Sequence, residues 1–207
     1  MTTALVVVDL QNDFCVGPTA HARYSGDPAT LEAVATRTAL AVDRARAHDM
    51  EVIFVRFVGD AEHQGPSWLR RDRIQNKPLK CREGSWGAEF HRVSPLPGER
   101  VFTKRACFDA FLSTGFEQHL VHRGVERLVL AGLYTDVCVD STARTAFQKG
   151  FHITVLTDCT TGRHLPDADV LRFMARLYGA HLSTHDHPWV PQAGEEDACQ
   201  VSKAASA

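Results

Sequence analysis

The stretch Ala4-Leu5-Val6-Val7-Val8-Asp9 decides the fold class. Five apolar residues, the last three of them valine, end abruptly on a carboxylate. A run this short and this rich in β-branched residues suits a strand covered on both faces, as in the middle of a parallel sheet. Val52–Phe57 and Leu128–Ala131 have the same character. Phe151–Leu156 reads as a fourth strand, His181–Thr184 as a weaker last one, and Arg100–Thr103 as a short strand between them.

Helical patterns fill the intervals. Thr30–His48 carries Leu31, Val34, Ala35, Thr38, Ala41, Val42 and Ala45 along one face at helical spacing. Gly115–Arg123 is a shorter helix ended by Gly124. Cys138–Lys149 stops at Gly150. Pro166–Tyr178 stops at Gly179, with Pro166, Asp167 and Asp169 in its first turn. Strands alternating with helices predict an α/β fold: an open, mainly parallel six-stranded sheet with helices on both faces, Rossmann-like in architecture. Ligands of such sheets bind at the carboxyl ends of the strands. The segment 59–98 has several prolines and glycines and no long periodic run, so it is expected as a long functional loop. A single domain is expected over 1–190, with 191–207 as a flexible C-terminal tail, or as an arm on a neighbouring subunit.

Composition narrows the partners. With 207 residues, 23% of them charged, and a formal net charge of −2, nothing favours nucleic acid or an anionic membrane surface. The basic cluster Arg70, Arg71, Arg73, Lys77, Lys80 and Arg82 is expected to be a solvated loop. The first apolar run is too short for a secretory core or a membrane span, so a cytoplasmic protein is expected. The six cysteines include no Cys-x-x-Cys pair and read as free thiols.

Three residues then stand at three strand ends. Asp9 closes the first strand, Lys104 follows the strand near 100–103, and Cys138 opens the helix after 128–131. Taken singly, Asp9 is a loop acid, Lys104 a surface lysine and Cys138 a buried small hydrophobe. Taken together they are the parts of covalent catalysis. A thiol at a helix N-terminus near an ammonium is drawn toward thiolate. A carboxylate can accept its proton and return it to a leaving amine.

The surrounding motifs give this constellation a family. Val7-Val8-Asp9-Leu10-Gln11-Asn12-Asp13-Phe14, Thr103-Lys104-Arg105 with Phe108 to Phe111, and Gly132-Leu133-Tyr134-Thr135-Asp136-Val137-Cys138-Val139 followed by Ser141-Thr142-Ala143-Arg144 occur in order. Together with Gly84-Ser85-Trp86-Gly87-Ala88-Glu89-Phe90, they resemble the isochorismatase-like cysteine hydrolases from about Leu5 to Asp186. The resemblance implies Asp9 as base, Lys104 as positioning cation and Cys138 as nucleophile. It also implies a cis peptide at Leu133–Tyr134, with the backbone N–H groups of Tyr134 and Cys138 forming an oxyanion hole.

The nicotinamidase branch of that family holds a divalent metal with an aspartate, a histidine two residues on, and a loop histidine. Here His63 stands three residues after Asp60, and Lys80 occupies the loop position. No metal and no other cofactor is therefore expected, and the chain is read as belonging to the non-nicotinamidase amidohydrolases. His181, His185 and His187 are expected to be satisfied or solvated. Phe14, Trp86, Phe108 and Tyr134 are expected to line a substrate pocket, although Phe14 and Trp86 would serve equally as core. His164 and Arg163 are expected at a substrate's polar end, and Arg144 in a structural pairing within its helix. The expected partner is a small amide, ureide, carbamoyl compound or lactam, handled by a homo-oligomer, dimer or tetramer. Two other readings stand beside this one. Vinyl-ether hydrolysis of an isochorismate-type substrate is disfavoured by Cys138, since that branch lacks the cysteine. A non-catalytic module of the same fold is disfavoured by the intact Asp9, Lys104 and Cys138.

Overall fold

A computed structural model describes residues 1–22 and 24–191, without the side chains of Pro18 and Thr19. The expected tail therefore lies outside the described residues beyond Pro191. In chain order the elements are β1 (Thr3–Val8), α1 (Asn12–Cys15), α2 (Gly17–His21), α3 (Pro28–Ala47), β2 (Glu51–Val58), α4 (Pro66–Ile74), β3 (Arg100–Arg105), α5 (Phe116–His122), β4 (Arg127–Leu133), α6 (Asp140–Gln148), β5 (His152–Thr161), α7 (Asp167–Tyr178) and β6 (His181–Ser183). The six strands form one sheet in the order β3-β2-β1-β4-β5-β6, and every neighbouring pair is parallel.

The alternation of β1 explains the layers. Ala4, Val6 and Val8 face one way, into a core shared with Phe116 and Leu120 of α5, Ala143 and Ala146 of α6, and Val170 and Met174 of α7. Leu5 and Val7 face the other way, against Leu31, Val34, Ala35 and Val42 of α3. A strand buried on both faces has no room for polar side chains, and this is why it reads as an unbroken apolar run. Each such Val or Leu contributes about 1.5–3 kcal/mol by leaving water.

Gly132 allows β4 to lie close against β1. Its φ is +115°, and a Cβ placed there would stand 1.9 Å from the carbonyl oxygen of Val8. The strand order reverses between β1 and β4, so the crevice beyond their carboxyl ends is where such a sheet receives a ligand.

Three expectations change. First, the segment 59–98 contains a helix, α4. It buries none of its residues, so no apolar stripe marks it in the sequence. Second, β5 runs on to Thr161. The apolar run ends at Leu156, but after an irregularity in register the chain pairs again, Thr160 with Gly132 and Thr161 with Leu133. Third, α6 begins at Asp140. Cys138 sits in the wide turn before it, where Tyr134 O accepts from Val137 N at 3.0 Å and from Val139 N at 3.2 Å, passing over Cys138. Arg144 is paired within its helix as expected, 3.1 Å from Asp140.

Candidate active site

The site begins with the last turn of β1. Asp9 has φ +51°, a left-handed conformation that Asp tolerates better than most residues. Its N–H still pairs with Val55 O at 2.8 Å. Gln11 fixes the neighbouring backbone: Oε1 accepts from Phe57 N at 2.7 Å, and Nε2 donates to Phe57 O at 2.9 Å and to Ala88 O at 2.8 Å. The end of β1, the end of β2 and the 84–90 loop are thereby held by one buried amide. Gln11 lies inside the quoted motif, yet its role depends on long-range partners that a local reading does not supply.

Lys104 extends from β3, two strands away, and is fully buried. Its ammonium donates to Asp9 Oδ2 at 2.6 Å and to Phe108 O at 2.7 Å. Asp9 Oδ1 is buried without a hydrogen-bond partner among the described residues. Cys138 completes the group at 7% exposure, near enough to both for mutual electrostatic effects.

Burial sets the electrostatics. It pushes Asp9 above the usual carboxylate range, and the neighbouring Lys104 offsets this only in part. Burial alone would lower Lys104, but Asp9 and Cys138 together outweigh it and hold the ammonium above its ordinary value. Cys138 is pushed up by burial above all; the Lys104 ammonium lowers it and Asp9 raises it again, so the net direction is upward. The sequence pointed to a thiolate; burial in the structure instead favours the thiol form, beside a carboxylate whose basicity burial also raises.

The thiol opens into a cavity of about 440 Å³ at the carboxyl ends of β1 and β4. Asp9, Cys138, Phe14, Phe108, Tyr134 and His164 all line it, so the structure brings together every expected site residue except Lys104, which lies just behind Asp9, and Trp86. Trp86 is outside the cavity and 58% exposed. The reason is that its segment is held by backbone: Asn12 Nδ2 donates to Trp86 O at 2.8 Å, and the ring turns toward Gly17. Trp68 of α4 supplies an aromatic wall instead, with its ring centroid 4.7 Å from Phe108 and 6.3 Å from Phe57. Arg71 lies over Trp68 at 4.2 Å. Together with Lys77 and Lys80 it faces the cavity, so half of the basic cluster expected as solvated loop belongs to the site. The Leu133–Tyr134 peptide is cis, as the resemblance implied.

A divalent metal does not fit the residues at the nicotinamidase position. Asp60 is engaged by His63 at 2.7 Å and by Arg105 at 3.4 Å, and Lys80 brings a cationic side chain to the cavity. Among the described residues, Asp158, His185 and Asp186 come together with metal-ligand atoms. They lie away from the cavity, and His185 is hydrogen-bonded to Asp158 at 2.5 Å.

Comparison with known proteins agrees with this geometry. A family profile described as Isochorismatase domain matches residues 3–187. The chain belongs to the isochorismatase family. It is 33% identical over 175 residues to the ureidoacrylate amidohydrolase RutB of Methylobacterium radiotolerans, an alignment covering 77% of this chain and 67% of that protein. The N-carbamoylsarcosine amidase of Thermoplasma acidophilum has the same fold, with a TM-score of 0.77 at 25% identity, covering 91% of this chain and 99% of that one. An isochorismatase family protein of Desulfovibrio vulgaris superposes with a TM-score of 0.74 at 30% identity, covering 89% and 94%. As an enzyme, the chain falls with the amidohydrolases of its family. No helix among the described residues is long and apolar enough to cross a membrane.

Proposed function

We propose that this protein hydrolyses a C–N bond of a small amide, ureide, carbamoyl compound or lactam through a thioester on Cys138. The observation that carries the proposal is the fully buried Lys104–Asp9 pair at 2.6 Å beside Cys138, the one cysteine among the described residues that lines the cavity. Asp9 takes the thiol proton as sulfur attacks the carbonyl carbon. The backbone N–H groups of Tyr134 and Cys138 receive the developing oxyanion. As the tetrahedral intermediate collapses, the C–N bond breaks and Asp9 returns the proton to the leaving nitrogen. Water then attacks the thioester with Asp9 again as base, releasing the acid and restoring the thiol. Lys104 keeps its charge throughout and compensates whichever of Asp9 and Cys138 is ionised. Phe14, Phe108, Tyr134, Trp68 and His164 shape the space around the acyl and leaving groups. The relatives named for ureidoacrylate and N-carbamoylsarcosine support a carbamoyl or ureido group as the part cleaved.

The protein acts as one hydrolase domain over 1–190, in the cytoplasm, without a metal or other cofactor, as a homo-oligomer. Ammonia release from a panel of small amides and ureides tests the activity. The wild type is expected to turn over at least one of them and to yield a Cys138 acyl adduct by mass spectrometry, while Cys138→Ala is inactive. Full activity in Cys138→Ala refutes the mechanism.

A further inference from the structure

We infer that Asp109 is a positioning residue for Lys104: bonded to Thr145 of α6, it fixes the Phe108 carbonyl that holds the Lys104 ammonium beside Asp9 and Cys138, an inference that rests on the proposed roles of those two residues.

An ammonium has three hydrogens to place. Lys104 donates to Asp9 Oδ2 at 2.6 Å and to Phe108 O at 2.7 Å, and Cys138 also acts on it through charge and hydrogen bonding. Two of these partners change charge in the proposed reaction, since a proton passes from Cys138 to Asp9. The Phe108 carbonyl does not. The lysine stem is flexible, so whatever fixes that carbonyl fixes where the positive charge sits through the whole cycle.

The segment carrying Phe108 is irregular. β3 ends at Arg105, Ala106 stands at φ +50°, and Phe108 is 37% exposed. Order returns at Asp109. Its Oδ1 accepts from Phe111 N at 2.9 Å and caps a turn of 3-10 helix over Ala110–Leu112. Its Oδ2 accepts from Thr145 Oγ1 at 2.5 Å. Beside it, Ala110 N donates to Thr142 Oγ1 at 3.1 Å. Thr142 and Thr145 are three residues apart on α6, so one face of that helix holds both Asp109 and Ala110. The turn that leads into α6 carries Cys138. The nucleophile and the anchor of the Lys104 acceptor are therefore mounted on one rigid element. Asp109 is the link, because it adjoins Phe108 in the chain and its carboxylate joins the turn to the helix.

Iodoacetamide labelling of Cys138 in the full chain, followed peptide by peptide by mass spectrometry from pH 6 to 10, tests this without a substrate. Lys104 pulls the thiol pKa down, so an ammonium that drifts away raises the labelling midpoint. Asp109→Ala and the milder Thr145→Val are each expected to move it up by about one pH unit, which slows labelling below the midpoint about tenfold. Thr145→Val decides the matter if Asp109→Ala does not fold. Thr145→Ser keeps the hydroxyl and is expected to restore the wild-type profile. In a Lys104→Met background, Thr145→Val is expected to have no further effect. A merely structural role predicts the opposite sign, because loosened packing exposes a buried thiol and speeds labelling. Unchanged or faster labelling in Thr145→Val overturns the inference. So does a shift that persists in full with Lys104→Met, or wild-type Cys138 that stays unlabelled up to pH 10. Failure of the nucleophile reading would show separately, as turnover by Cys138→Ala.

Discussion

Lys104→Met isolates the buried charge pair. The methionine can occupy the space of the lysine stem, but it removes the ammonium 2.6 Å from Asp9 Oδ2 and leaves a fully buried carboxylate with no counter-charge. Breaking a buried pair from one side costs about 3–5 kcal/mol. A domain has only about 5–15 kcal/mol of stability in total, so the variant is expected to fold but to unfold at much lower urea concentration. The cost depends on pH, and its sign follows from Asp9. Burial already raises the Asp9 pKa, and Lys104 is the main influence lowering it. Without Lys104 the native pKa rises further above the unfolded value. The native state then binds the proton more tightly than the unfolded chain, and stability falls as pH rises through the native pKa. The deficit should therefore be smallest at the acid end of a pH 5 to 9 series and largest at the alkaline end. The double variant Asp9→Asn with Lys104→Met removes the stranded charge and should recover most of the loss. Urea unfolding of the wild type, both single variants and the double variant completes the cycle. A loss below about 1 kcal/mol at pH 8, or a double variant no more stable than Lys104→Met, would refute the buried-pair argument.

Gly132→Ala is expected to lose about 3 kcal/mol or more in thermal or urea unfolding, because its Cβ would meet Val8 O at 1.9 Å in a backbone conformation with φ +115°. Trp68→Ala is expected to lower kcat/KM roughly tenfold, since Trp68 is the ring packed on Phe108 and Phe57 at the cavity wall. Trp86→Ala should stay within about twofold of wild type in the same assay, as expected of an exposed ring outside the cavity. Glu99→Gln should cost about 1 kcal/mol at pH 7. Burial pushes Glu99 up, but Arg46 and the Leu96 N–H outweigh it and hold the carboxylate below its ordinary range. That contribution is present above the ordinary glutamate pKa and is lost as pH falls through the lowered native value, so wild type and Glu99→Gln should converge in acid.

Periodicity accounts for which parts of this fold are legible in the sequence. β1, β2 and β4 are buried on both faces, and that condition writes itself as an apolar run ending where the sheet ends. Asp9 is conspicuous for the same reason, as the first polar residue after the run. α4 leaves no such trace because it packs through the single ring of Trp68 while burying no residue fully, and the cationic surface around that ring hides its place at the cavity. Trp86 misleads in the opposite sense. Its motif is recognisable, but Gln11 and Asn12 hold the loop by its carbonyls, and ring orientation follows from those long-range bonds. The extension of β5 to Thr161 depends on backbone pairing across an irregular register, which side-chain hydrophobicity does not encode. Asp136 reads as one more acid in a motif until its three backbone partners, 27 to 29 residues away, are known.

The protonation of Cys138 is the most consequential of these differences. A helix start and a nearby lysine argue for a thiolate, and a thiolate resting against Lys104 would need no base. Burial reverses that balance, pushing the thiol up, and Asp9 pushes it further. The same burial raises Asp9, so the proposed proton acceptor gains basicity in the environment that makes the thiol reluctant to lose its proton. Transfer from sulfur to carboxylate moves one negative charge between two neighbours of the same ammonium and leaves the net charge of the site unchanged. No charge has to enter or leave the low-dielectric interior, which is the costly step for an isolated buried thiol. Lys104 thus needs no motion and no change of protonation to serve both states. Its rigid attachment to Phe108 O at 2.7 Å, which would be a handicap for a proton carrier, suits a fixed counter-charge.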